Sequence, residues 1–156
     1  MEKRKHYVNS LTFQTEYTAK VFKNITKDFF EEETNNRISF EEFIILDTII
    51  CYPHIDKNIL AKTLLKEKSS IEKLLSKLIS KNLLEEIKNN KLEAQFTHYK
   101  LTEKGNKLYE EITLYNDKTI EILAKFISEK ELLSFTKTLL KMRNILISLE
   151  YIEIPQ

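Results

Sequence analysis

Apolar residues recur three and four positions apart over most of the chain, and residues that start or stop helices divide the pattern into runs. Tyr7, Leu11, Tyr17, Val21, Ile25 and Phe29 predict a first helix over about residues 7–30, closed by the polar run Glu31-Glu32-Glu33-Thr34-Asn35-Asn36. Ser39-Phe40-Glu41-Glu42 has the form of a capping box, in which a hydroxyl and a carboxylate each accept from a free backbone donor at a helix start. The segment it opens is apolar almost without interruption over residues 43–51, as a helix buried on most sides would be. Tyr52-Pro53 stops it, because the residue before proline is pushed out of the helical region. Asp56 then caps a short helix over residues 57–64, and Lys66-Glu67-Lys68 turns into a further helix. Ser69 and Glu72 form a second capping-box pattern at its start. Ile71, Leu74, Leu75, Leu78 and Ile79 share one side of this helix, while Ser69, Ser70, Lys73, Ser76, Lys77 and Ser80 share the other.

After Leu84 the helical period fails. Residues 84–88, the turn chemistry of Asn89-Asn90-Lys91, and the aromatic and β-branched run Phe96-Thr97-His98-Tyr99-Lys100-Leu101 predict a hairpin with a long tip. Thr102 caps the next helix, and the chain's single glycine, Gly105, falls in its first turn, where helix propensity disfavours it. The expected reason is the close approach of another backbone. Leu108, Ile112, Tyr115, Thr119, Ile122 and Phe126 continue at helical spacing. A third capping box, Ser128 with Glu131, opens a last helix carrying Leu132, Phe135, Leu139, Met142, Leu146 and Leu149. Leu133, Leu140, Ile145 and Ile147 give that helix more apolar surface than one neighbour covers, which predicts a homodimer. The fold class is mainly α with a small β-hairpin wing. It is a winged helix-turn-helix at about residues 38–104, flanked by dimerisation helices at about 7–30 and 105–152, in one chain spanning 1–156.

Composition supports the helical reading: 156 residues contain one Gly and two Pro, the two residues that cost most in a helix interior. On composition alone, a helical bundle without a hairpin is the alternative. No apolar run approaches the roughly 20 residues that span a bilayer, and the charged start Met1-Glu2-Lys3-Arg4-Lys5-His6 leads into no signal-peptide core. The expectation is a cytoplasmic protein with no membrane partner. Cys51 is the only cysteine, which excludes an intramolecular disulfide or a cysteine-based zinc cluster; after Ile49 and Ile50 it is expected to be a buried thiol. A net charge of +1 says little, but residues 54–108 hold twelve lysines against seven acidic residues, with each flanking segment slightly acidic. A basic middle between acidic ends suits a DNA-reading module carried on helices that do another job.

The order of elements over residues 57–105 resembles the MarR family of bacterial transcriptional regulators. The match is carried by Lys68-Ser69-Ser70-Ile71-Glu72-Lys73, by Asn82-Leu83 where the family often has Gly-Leu, and by Leu101-Thr102-Glu103-Lys104-Gly105. Asn is suited to the left-handed helix ending that Gly supplies. The Ser-Phe-Glu-Glu-Phe run at residues 39–43 is also similar to a helix start in the related staphylococcal SarA group. The wing departs from the family, which carries an Asp and arginines before its second strand. Here Ala94, Gln95 and Phe96 stand at those positions, and Lys88 and Lys91 are the cations near the tip. Lysine is a more hydrated and less planar donor than arginine, so minor-groove readout should shift toward plain phosphate attraction.

The resemblance implies a dimeric repressor on a pseudo-palindromic operator in double-stranded DNA, relieved by a small phenolic or lipophilic effector. Ser69, Ser70, Lys73, Lys77, Lys88 and Lys91 are the expected DNA contacts, with Lys73 reaching a base edge. Phe13, Tyr17, Phe43 and Tyr115 are candidates to line an effector pocket, although ordinary core packing also explains them. The alternative function is a winged-helix dimer that has lost sequence-specific DNA binding and acts through protein contacts. Neither a catalytic constellation nor a cofactor is implied. His6, His54 and His98 have no metal-ligand spacing, and His98 is expected to be a plain surface residue of the wing. Ligands can nonetheless converge from distant elements, which leaves a zinc-responsive regulator open.

Overall fold

The computed structural model describes residues 7–89, 96–113 and 118–150. A single 3₁₀ turn, Tyr7–Asn9, precedes α1 (Leu11–Glu33). There follow α2 (Phe40–Cys51), α3 (Lys57–Thr63), α4 (Lys68–Ser80), the strands β1 (Leu84–Asn89) and β2 (Phe96–Leu101), then α5 (Glu103–Thr113), α6 (Lys118–Leu123) and α7 (Glu129–Glu150). The strands form an antiparallel hairpin in which Leu84 faces Leu101 and Ile87 faces His98. The chain divides into two compact units, Met1–Asn116 and Asp117–Gln156. No helix among the described residues is long and apolar enough to cross a membrane.

Most helix starts follow the predicted local chemistry. Ser39 Oγ accepts from the Glu42 N–H at 3.2 Å while the Ser39 N–H donates to Glu42 Oε2 at 2.8 Å, completing the capping box. Asp56 Oδ1 accepts from the amides of Asn58 and Ile59 at 2.7 and 2.9 Å. Ser128 and Glu131 exchange the same reciprocal bonds before α7. Where α1 ends, Asn35 takes a left-handed φ of 51° and Asn36 N–H returns to the Glu31 carbonyl at 2.8 Å. Helix α4 ends in the same way: Asn82 has a φ of 58°, its N–H donates to the Ile79 carbonyl, and Leu83 N–H donates to the Leu78 carbonyl. Helix α3 ends so too, but on Leu65, a branched residue at φ 51° that is 93% exposed.

The core of the first unit is built by α2, α3, α4, the hairpin and α5. Ile45, Leu46 and Ile49 of α2 meet Leu60, Ile71, Leu75, Leu78, Leu84, Leu101 and Ile112 in one apolar cluster. Each of the fully buried isoleucines and leucines contributes about 1.5–3 kcal/mol of burial. The aromatic rings of Phe30, Phe43 and Tyr109 form a stack along one edge, and the Tyr109 hydroxyl donates to Asp47 Oδ1 at 2.6 Å, tying α5 to α2. That bond, helped by burial, pushes the Tyr109 hydroxyl up to about 12.

Helix α5 begins against the end of α4. Thr102 N–H donates to the Leu83 carbonyl at 3.1 Å, Thr102 Oγ1 donates to the Asn82 carbonyl at 2.7 Å, and Lys104 Nζ donates to the Lys81 carbonyl at 2.8 Å. Thr102 Oγ1 also accepts from the Gly105 N–H, capping α5 as predicted. A Cβ placed on Gly105 would collide with the Leu83 carbonyl oxygen, which confirms close backbone approach as the reason for the glycine.

Three expectations are corrected. Cys51 is exposed rather than buried, because it is the last residue of α2 and that helix has already left the core there. Ser69 does not cap α4: the helix starts at Lys68 with Glu67 as its extended N-cap residue and no side-chain cap, so Ser69 is already inside the first turn. The periodic run ending at Phe126 does not remain helical to its end, since α6 stops at Leu123 and Phe126 follows in a turn, 84% exposed. Tyr115, within the same run, lies outside the described residues.

Gly105→Ala should destabilise the protein by about 3 kcal/mol or more, since the added methyl meets backbone and not a flexible side chain. Chemical denaturation followed by circular dichroism checks this; a change within about 0.5 kcal/mol would show that the approach of α5 to Leu83 can relax.

Candidate nucleic-acid interface

Helix α4 is amphipathic as the sequence predicts. Ile71, Leu75 and Leu78 are buried and Leu74 is half-buried, whereas Ile79 is more open than expected. On the opposite side Ser69, Ser70, Lys73, Ser76, Lys77 and Ser80 are all exposed. Hydroxyls and ammoniums therefore form a continuous stripe about three turns long on a helix of the kind that enters a major groove. Lys73 makes no ion pair among the described residues, which leaves its charge directed at solvent.

Two carboxylates adjust the charge of this surface. Glu72 is paired with Lys57 of α3 at 2.6 Å, and that ammonium holds its carboxyl below the usual range. Its expected capping role is thus replaced by a bridge between the two helices of the helix-turn-helix. Glu42 is fully buried at 0% exposure, yet it is charged. Burial alone would push its carboxyl up, but the Lys81 ammonium at 2.8 Å, the Ser39 amide and Lys77 outweigh burial and hold it below its ordinary value. Lys77 Nζ lies 3.3 Å from Oε1 without hydrogen-bond alignment, so that oxygen depends on charge attraction alone. The C-terminal half of α4 is in this way anchored to the first turn of α2. Capping chemistry was legible at Glu42; its pairing with residues 35 and 39 positions away was not.

The other predicted site residues are divided. Lys88 belongs to β1, where its backbone faces Thr97; its side chain and the whole of Lys91 lie outside the described residues. Phe13 and Tyr17 stack on each other with ring centres 5.8 Å apart, and Phe43 stacks between Phe30 and Tyr109. Phe13 and Phe30 lie near opposite ends of α1, so at about 1.5 Å per residue the two aromatic groups are separated by roughly 25 Å along that helix. A cleft of about 1260 Å³ opens elsewhere, between the end of α4 and the start of α5, and is lined mainly by polar residues including Lys81, Lys100, Lys104 and Lys107.

Helix α3, the amphipathic helix α4 and the β1–β2 hairpin, in this chain order, define a winged helix-turn-helix. The fold is that of the MarR-family regulators. Similar solved structures include S. aureus MepR in complex with DNA, with a TM-score of 0.69 and 21% identity over 90% of this chain and 99% of that one. A mutant MarR from E. coli complexed with operator DNA has a TM-score of 0.73 and 20% identity over 88% of this chain and 99% of that one. The organohalide-sensing regulator RdhR, bound to 2,4-dichlorophenol, has a TM-score of 0.74 and 18% identity over all of this chain and 94% of that one. No protein-family model and no curated protein sequence matches the chain.

Glu42→Gln should cost about 1–3 kcal/mol at neutral pH, less than the loss of a fully buried ion pair because Lys77 and Lys81 can turn to water. The carboxyl is lowered in the folded state, so its contribution is present above the unfolded value near 4.3 and is lost as pH falls through the lower folded value. Denaturant midpoints measured between pH 3 and pH 7 should therefore show a flatter acid limb in the variant than in the wild type.

Proposed function

We propose that this chain is a dimeric, DNA-binding transcriptional regulator that places α4 in the major groove. The observation that carries the reading is the exposed Ser69, Ser70, Lys73, Ser76, Lys77 stripe, set on a helix whose other face is buried in a winged helix-turn-helix core. The DNA complexes of the similar MepR and MarR structures support it. Lys73 is the residue for a base edge, and Ser69, Ser70, Lys77, Lys88 and Lys91 serve mainly phosphates. Lys77 shares its charge with Glu42, which weakens its pull on phosphate.

A two-fold dimer would set two α4 helices about 34–36 Å apart over a pseudo-palindrome. Supporting the dimer, none of the described side chains of α1 and α7 is buried, and Leu11, Tyr17, Val21, Phe135, Leu139 and Leu146 are open. Apolar side chains in such number call for a cover. Repression relieved by a small phenolic or lipophilic effector is the regulatory mode we infer, supported by the dichlorophenol complex of RdhR.

Lys73→Ala should weaken binding and flatten base preference, whereas Lys91→Ala should weaken binding equally on all sequences and lower the salt slope by roughly one. Titration of both variants on a selected operator and a scrambled duplex decides this. If the wild type shows no preference at any salt, sequence-specific regulation fails and a winged-helix dimer acting through protein contacts takes its place.

Light scattering at micromolar concentration should give a dimer. Leu139→Asp should lower its thermal stability by several degrees more than Lys137→Asp, because only the former puts a charge into the seam. Equal effects would show that the face of α7 carrying Leu139 is not covered.

A further inference from the structure

The fold brings together two histidines that the sequence separates. His54 stands in the turn between α2 and α3, and His98 in the middle of β2 opposite Ile87; their ring centres are 4.9 Å apart, with the ring planes at 68°. We propose that His54 and His98 form a two-imidazole site for a divalent transition-metal ion of the zinc, nickel or copper class, at the junction of the wing and the helix-turn-helix. The inference goes beyond the DNA-binding reading and does not depend on it.

Distance is the first argument. A metal held about 2.0–2.1 Å from one nitrogen of each ring, at angles between square and tetrahedral, leaves the ring centres roughly 4.5–5.2 Å apart. The observed separation falls inside that range without movement of either element. Backbone conformation is the second. His54 has a left-handed φ of 71°, a conformation that costs an ordinary residue on the order of 1 kcal/mol and that accumulates at functional positions. The turn is held in that shape by Ile55, which is buried and donates its N–H to the Tyr52 carbonyl at 3.2 Å. His98 is fixed independently by strand register, with Tyr99 and Leu101 beside it in the core. Two rigid elements therefore present the imidazoles, as a preorganised metal site requires.

The nearest carboxylate in sequence, Asp56, is committed to capping α3. Among the described residues no group of three or more His, Cys, Asp and Glu could hold a metal, so water or an added ligand completes the coordination sphere. Such a site is open and binds more weakly than a closed four-ligand one. Imidazole selects for zinc, nickel or copper over magnesium and calcium, which prefer oxygen. A bound ion would pin the root of the wing to the turn before α3.

The test is titration of the chelator-treated full chain with zinc chloride, followed by calorimetry and by the imidazole resonances in a carbon–proton correlation spectrum. One zinc per chain is expected, with shifts in His54 and His98 and none in His6. His54→Asn keeps a residue suited to positive φ, and His98→Gln keeps a polar side chain of similar reach, so both should fold. Each should weaken zinc binding about tenfold or more, the double variant should abolish it, and His6→Ala should leave it unchanged. Magnesium chloride should give no binding. Absence of zinc binding by the wild type at millimolar concentration would overturn the proposal. So would undiminished binding by His54→Asn and His98→Gln, or resonance shifts located at another group.

Discussion

The contact between Leu83 and the first turn of α5 sets the geometry of the winged unit. Helix α4 ends with carbonyls that have no partner inside the helix, and the chain leaves at once into β1. Thr102 and Lys104 satisfy the carbonyls of Lys81, Asn82 and Leu83, and they can do so only because Gly105 lets the two backbones meet. The same contact closes the base of the hairpin, since Leu84 and Leu101 are paired directly beyond it. Helix α4, the hairpin and α5 thus share one fixed point, and a bulky residue there would shift all of them together.

From that point the division of labour is electrostatic. Buried leucines and isoleucines hold α4 from behind, while its outer face keeps hydroxyls and ammoniums in water. Pairing of Glu72 with Lys57 keeps one negative charge from standing alone on that face. Lys68 and Lys73 are left without an ion pair among the described residues near the start of the helix, where a groove-bound helix reaches base edges.

What could be read from the sequence was what is local. Capping at Ser39, Asp56 and Ser128, the left-handed Asn82 and the close backbone approach at Gly105 each follow from a few neighbouring residues, and each is found. Ser69 misled because Leu65, neither Gly nor Asn, supplies the left-handed end of α3, and the chain re-enters a helix at Lys68, before the Ser-x-x-Glu motif begins. Cys51 misled because hydrophobic neighbours in sequence do not place a residue at the end of a helix inside the core. The Glu42 ion pairs and the His54–His98 contact join residues far apart along the chain, and no spacing rule reaches across such gaps. The candidate site was accordingly legible as a helix face and illegible as a network.

Glu42 carries a consequence for how this surface can change over generations. One carboxylate both caps α2 and neutralises the rear of α4, so residues 39, 42, 77 and 81 form a single inherited unit. A lineage that replaced Lys81 first would leave a buried anion with one poorly aligned partner, and one that replaced Glu42 first would lose a helix cap as well as a charge. Drift on the exposed side of α4 is free to proceed residue by residue, whereas drift on its inner edge must cross a destabilised intermediate. The exposed residues Ser69, Ser70 and Lys73 can therefore vary while the angle at which α4 is presented stays the same.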